Sequence, residues 1–67
     1  MIFDIDNYAS IVIKANIANI KKDKVELSRQ LDRIHDMAMD DAHRAGYTLA
    51  HMLQIIRDNY PSMVTLI

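Results

Sequence analysis

Residues 23–60 read DKVELSRQLDRIHDMAMDDAHRAGYTLAHMLQIIRDNY. Within this stretch Leu27, Leu31, Ile34, Ala38, Ala42, Ala45, Leu49, Met52, Ile56 and Tyr60 follow one another in nine steps across 33 residues. That spacing matches the period of about 3.6 residues of an α-helix. The apolar stripe keeps its phase throughout. Its middle is small (Ala38, Ala42, Ala45, with Gly46 beside them) and its ends are bulky. Small residues at i, i+4, i+7 and i+8 let another helix approach closely. The crossing partner is either the first helix of the same chain or a second chain.

Gly46 decides how the stripe is cut. In one reading it caps the second helix, with Tyr47 supplying the apolar contact of the cap and Thr48 starting a third helix. In the other, one helix of 36 residues, about 54 Å long, runs through it at a penalty of about 1 kcal/mol. A monomer cannot cover a helix of that length, so the second reading implies a dimer.

Working outward, Asp23 and Glu26 form an Asp-x-x-Glu variant of the capping box. The Asp carboxylate is expected to accept the Glu26 N–H while Glu26 reaches back. Lys21 and Lys22 precede it, where a helix C-terminus favours positive charge. The second helix is therefore placed at 24–45 and the third at 48–59. On the outer face, Arg29 is expected near Asp32 and Arg33, Arg33 near Asp36, and Asp40 near Arg44. Exposed pairs of this kind contribute a few tenths of a kcal/mol each.

Upstream, Asp6 is the expected N-cap of a first helix over 7–21. Tyr8, Ile11, Val12, Ala15 and Ala18 share one face of it, and Ile13, Ile17 and Ile20 another. A helix apolar on two sides is expected to lie between two surfaces. The run Ser10-Ile11-Val12-Ile13 also suits the start of a strand, but the helical spacing continues through Ala18 and no partner strand is evident. Downstream, Pro61 ends the third helix, and Ser62 is placed to start a final turn. Met63 to Ile67 is an apolar tail of the kind normally docked against something.

The chain has 67 residues, no cysteine, one Gly, one Pro, 51% apolar residues and a net charge of −1. This is one domain at most. A chain this short buries only about 60% of its unfolded surface. With disulfides excluded and no strong metal site, oligomerisation is the expected compensation. Residues 1–33 carry six Lys/Arg and five Asp/Glu, and residues 34–67 carry two and four. That balance names no partner. Asp4 and Asp6 sit where a secretory signal would be basic, and no apolar run approaches the ~20 residues of a membrane span. A soluble, cytoplasmic protein is expected, with no membrane contact.

Chemistry-bearing constellations are sparse. His35, His43 and His51 are spaced by eight and do not share a helical face. Asp36, Asp40 and His43 do share one, but a paired, solvated face explains them better than a metal site, which generally draws on more than one element. Ser10, Ser28, Ser62, Thr48 and Thr65 have no sequence tie to a histidine, and local capping is their default role. There is no glycine-rich phosphate loop. No catalytic residue, metal or cofactor is assigned. Lys14, Lys21, Lys22, Lys24, Arg29 and Arg33 form one basic cluster, blunted by Asp23, Glu26 and Asp32.

Two resemblances carry implications of their own. Ala42-His43-Arg44, followed by Pro61-Ser62-x-Val64 and Ile67, resembles the C-terminal half of the Hha/YmoA family, and Glu26-Leu27-Ser28 resembles a segment further upstream in it. Those are small helical proteins that bind a nucleoid-structuring protein. The resemblance implies a transcriptional co-regulator acting through protein contacts. Thr65 stands where that family has a Trp, and the upstream match needs gaps. Ser28-Arg29-Gln30-Leu31-Asp32 is similar to the Ser-Gln-Glu-Leu-Asp motif of helical-hairpin aspartyl-phosphate phosphatases. That similarity implies Asp32 set against a response regulator.

The expectation is an all-α bundle of two long or three shorter helices, dimeric. Its expected function is non-catalytic regulation or adaptation through an apolar helical face, toward itself, another protein or both. The candidate contacts are Ile13, Ile17, Leu31, Ile34, Ala38, Ala42, Leu49, Ile56, Met63 and Leu66, most of which also suit a core. The alternative is a transcriptional modulator associated with DNA or a nucleoid protein, with Lys21, Lys22 and Lys24 as its nucleic-acid contacts.

Overall fold

The computed structural model describes residues 3–67. Three α-helices follow in order: α1 over Ala9–Ile20, α2 over Lys24–Ala45 and α3 over Leu49–Asn59. Single 3-10 turns precede α1 at Ile5–Tyr8 and follow α3 at Pro61–Met63. No strand occurs among the described residues, so Ser10 to Ile13 is helical.

Each boundary has a local chemical cause. Asp4, rather than Asp6, caps the chain's first turn: its carboxylate accepts the Asp6 N–H at 3.0 Å. The chain tightens into a 3-10 turn there, so the α-helix proper starts at Ala9 instead of Asn7. α1 ends in a double hydrogen bond. The Asp23 N–H reaches the Ala18 carbonyl at 2.9 Å and the Lys22 N–H reaches Asn19 at 3.1 Å. This is the Schellman pattern, and it holds Lys22 at φ 57, a left-handed conformation unusual for a side chain with a Cβ.

Asp23 then caps α2, accepting the Glu26 N–H at 3.1 Å. The reciprocal half of the expected capping box is missing. Glu26 instead accepts from Arg29 at 2.8 Å and from the Gln30 side chain at 2.6 Å. α2 stops at Gly46, so there is no 36-residue helix. Gly46 has φ 72, its N–H reaches His43 at 3.3 Å, and the Tyr47 N–H reaches Ala42 at 2.9 Å. Thr48 begins α3 by accepting the His51 N–H at 3.0 Å.

The helices close on one core. α1 contributes Ile11, Val12, Ala15 and Ala18, α2 contributes Ile34, Ala38 and Ala42, and α3 contributes Met52 and Ile56. Phe3, Tyr8 and Met63 complete the buried apolar set. Each large aliphatic here contributes about 1.5–3 kcal/mol relative to exposure. The small middle of the stripe is therefore used inside the chain, where Ala38 and Ala42 join Ala15 and Ala18 in the interior. The molecule measures 36 × 18 × 18 Å, and its long axis is close to the length of α2, about 33 Å for 22 residues.

The tail is docked on its own chain. Met63 is fully buried, and Leu66 and Ile67 pack partly buried against the core. Arg57 donates its Nε–H to the Ile67 carbonyl at 2.9 Å. Tyr60 donates its hydroxyl to the Ile5 carbonyl at 2.8 Å, joining the two ends of the described chain. Among the described residues no helix is long and apolar enough to cross a membrane.

Candidate protein interface

The ten contact candidates separate into three groups. Ile34, Ala38, Ala42, Ile56 and Met63 are interior to the single chain. Leu31 and Leu66 are half-buried against that core. Ile13, Ile17 and Leu49 reach the surface.

Ile13 and Ile17 belong to a larger exposed feature. α1 turns Ile11, Val12, Ala15 and Ala18 inward, which leaves Ile13, Ile17 and Ile20 on the opposite side at i, i+4 and i+7. They are 57, 47 and 80% exposed, and Val25 nearby at the start of α2 is 71% exposed. The expected burial of α1 on two sides is thus met on one side only. The apolar stripes of α2 and α3 are turned to the core, and among the described residues these side chains stay largely uncovered.

The borders of this face differ. Lys14 and Lys21 run along one side, where a shallow cleft of about 190 Å³ is lined by Lys14, Ile17, Ala18, Lys21, Asp23 and Glu26. Asn16 lies toward the other side, its side-chain amide donating to Ser62 Oγ at 3.0 Å. Lys14, Lys21, Lys22 and Lys24 are all exposed, and none is in an ion pair among the described residues.

Leu49 belongs to a second surface at the far end of α2. An open groove of about 430 Å³ is lined by Met39, Asp40, Ala42, His43, Tyr47 and Leu49. Tyr47 forms its wall, stacked on His51 at 4.5 Å between ring centres and meeting Phe3 edge-on at 6.3 Å. Of this group sequence reasoning named Leu49 and Ala42, and Ala42 is buried. Tyr47 following a capping glycine was its one legible signal.

Beneath the surface lies a polar cluster that sequence reasoning missed. Tyr8 is fully buried and donates its hydroxyl to Asp41 Oδ2 at 2.5 Å. Asp41 Oδ1 accepts from Arg44 at 2.6 Å. Burial pushes the Tyr8 phenol well above its ordinary range, and the hydrogen bond to the Asp41 carboxylate and that group's charge push the same way. A phenol so held, with no exposed surface, keeps its proton and fixes the end of α1 on α2. The expected outer pairs give way to Arg29–Glu26 and Arg44–Asp41, both reaching back three residues. Asp36, Asp40 and His43 do not converge, and no group of three or more metal-ligating side chains occurs among the described residues.

No protein-family model matches this chain, and no curated protein or solved structure matches it significantly. The Hha/YmoA and phosphatase resemblances therefore rest on their quoted residues alone.

Proposed function

We propose that this protein is a small non-catalytic regulator or adaptor that binds a protein partner through the outer face of α1. One observation carries the reading. Ile13, Ile17 and Ile20 stand on successive turns of a helix whose opposite face is already spent on the core. Scattered exposed aliphatics need no explanation, but a contiguous row of them marks an interaction surface.

A photoreactive amino acid placed at position 17, compared with one at the exposed position 29, tests this in living cells. Position 17 is expected to give discrete adducts that vanish when Ile13 and Ile20 are changed to Asp. Position 29 is expected to give none. Equal labelling at the two positions, or none at position 17, would remove the reading.

A second reading is a DNA-associated transcriptional modulator. It is favoured by Lys21, Lys22 and Lys24, exposed and in no ion pair among the described residues, clustered where α1 meets α2. It requires labelled duplex DNA to bind with an affinity that falls steeply with salt and is lost when the three become Glu. Anisotropy that does not change with protein concentration would end it.

A further inference from the structure

We propose that the aliphatic face of α1 docks into the Met39–Tyr47–Leu49 groove of a second copy of this chain, head to tail. The inference rests on the reading of α1 as a protein-docking face and names its occupant.

Charge selects the pairing. Residues 9–25 carry four Lys and one Asp, and that Asp is engaged as the cap of α2. The groove end of α2 has the opposite sign: Asp36 and Asp40 are exposed there, while Arg44, the one Lys or Arg of that end, is paired with Asp41. Two α1 faces packed antiparallel about a two-fold axis set the Lys14–Lys21 edge against its own copy. Two grooves packed together set Asp36 and Asp40 against theirs. Like charges opposed in an interface disfavour it, and opposite ones fix partner and register. Face against groove sets opposite charges together.

The apolar chemistry fits as well. Ile13, Ile17 and Ile20 form a ridge, while Met39, Tyr47 and Leu49 border a concave site with an adaptable thioether and an aromatic wall. Met39 is 56% exposed and Tyr47 39%, so the groove also leaves apolar surface uncovered. Face and groove lie on different elements, so one contact leaves a free face at one end and a free groove at the other. Such heterologous contacts continue into chains or close into rings.

Light scattering of the full chain across a concentration series tests this, with two variants at exposed positions, Ile17→Asp in the face and Leu49→Asp in the groove. Circular dichroism verifies that both remain folded. The wild-type mass is expected to rise with concentration beyond that of a dimer. Each variant alone is expected to stay monomeric. An equimolar mixture is expected to form a 1:1 dimer and nothing larger, because one intact face meets one intact groove. Changing Lys14 and Lys21 together to Glu is expected to weaken association at least about tenfold, and adding Asp36→Lys and Asp40→Lys to restore it.

A wild-type mass that stops at the dimer, with variants that do not complement each other, would show a two-fold symmetric contact and overturn the proposal. A wild type that stays monomeric throughout would also overturn it. The α1 face would then still stand as a site for a different protein, decided by the adduct at position 17.

Discussion

The left-handed cap at Gly46 makes a prediction of definite sign. Gly46→Ala introduces a Cβ at φ 72. No atom lies within 4 Å of where that Cβ would stand, so there is no steric clash and the penalty is conformational. Left-handed geometry costs an alanine about 1–2 kcal/mol. Glycine loses more freedom on folding, which returns about 0.5–1 kcal/mol to the variant. The net loss is about 1 kcal/mol. For a domain of this size that lowers Tm by about 4–8 °C. Lys22 supplies the control of opposite sign, because its φ of 57 already carries the strain. Lys22→Gly relieves it, loses some of the gain to glycine entropy and to the favourable charge at the end of α1, and should stabilise by about 0.5 kcal/mol. Thermal unfolding followed by circular dichroism reads both changes. A Gly46→Ala variant with unchanged or higher Tm and increased helicity would refute the reasoning, since the chain would then prefer one long helix to the cap.

Three further outcomes follow from the interior. Tyr8→Phe removes a hydrogen bond to a charged acceptor and should cost about 1.5–3 kcal/mol in chemical denaturation. The Tyr8 phenol titrates higher in the folded chain than the value near 10 of the unfolded one. Its contribution is therefore complete below about pH 10 and is lost as the pH rises above it; an alkaline decline just as steep in Tyr8→Phe would exclude that origin. Ala42→Leu forces three heavy atoms into a site only 3% exposed and should destabilise by about 1–3 kcal/mol, whereas a neutral Tm would place Ala42 outside the helix crossing. Gln30 is buried, with its Nε2 donating to Glu26 at 2.6 Å and its Oε1 unpartnered among the described residues, so Gln30→Met loses one term and relieves the other, and should change stability by no more than about 1 kcal/mol. A fall of about 3 kcal/mol in chemical denaturation would mean that the carbonyl is satisfied in solution.

The features read from the sequence share a physical scale. Asp23 as a cap and Pro61 as a terminator are decided by hydrogen bonds and backbone sterics spanning three to five residues, as are Gly46 and Thr48, whose stop and start stood in the sequence beside the alternative of an unbroken helix. The extents of α2 and α3 were legible for that reason. So was the apolar face of α2, which needs only the helical period. The competition between Asp4 and Asp6 for the first cap turned on a 3-10 tightening that local chemistry leaves nearly balanced, and there the sequence reading missed.

Other features depended on how the helices dock. α1 is apolar on two sides, and no local rule says which side meets the core; the bond from Tyr8 to Asp41 and the close fit of Ala15 and Ala18 decide it. Asp41 was given no role in the sequence reading, yet docking of α1 buries it and gives it a phenol and a guanidinium as partners. The C-terminal apolar run was readable as something that docks, but only the packed chain showed that it docks on itself through Met63 and Arg57. The sequence alone determined where α2 starts, where α3 ends and which side of α2 is apolar, because those choices are made among near neighbours in the chain. The tertiary structure decided which apolar side remains outside, because that depends on helices competing for one small core.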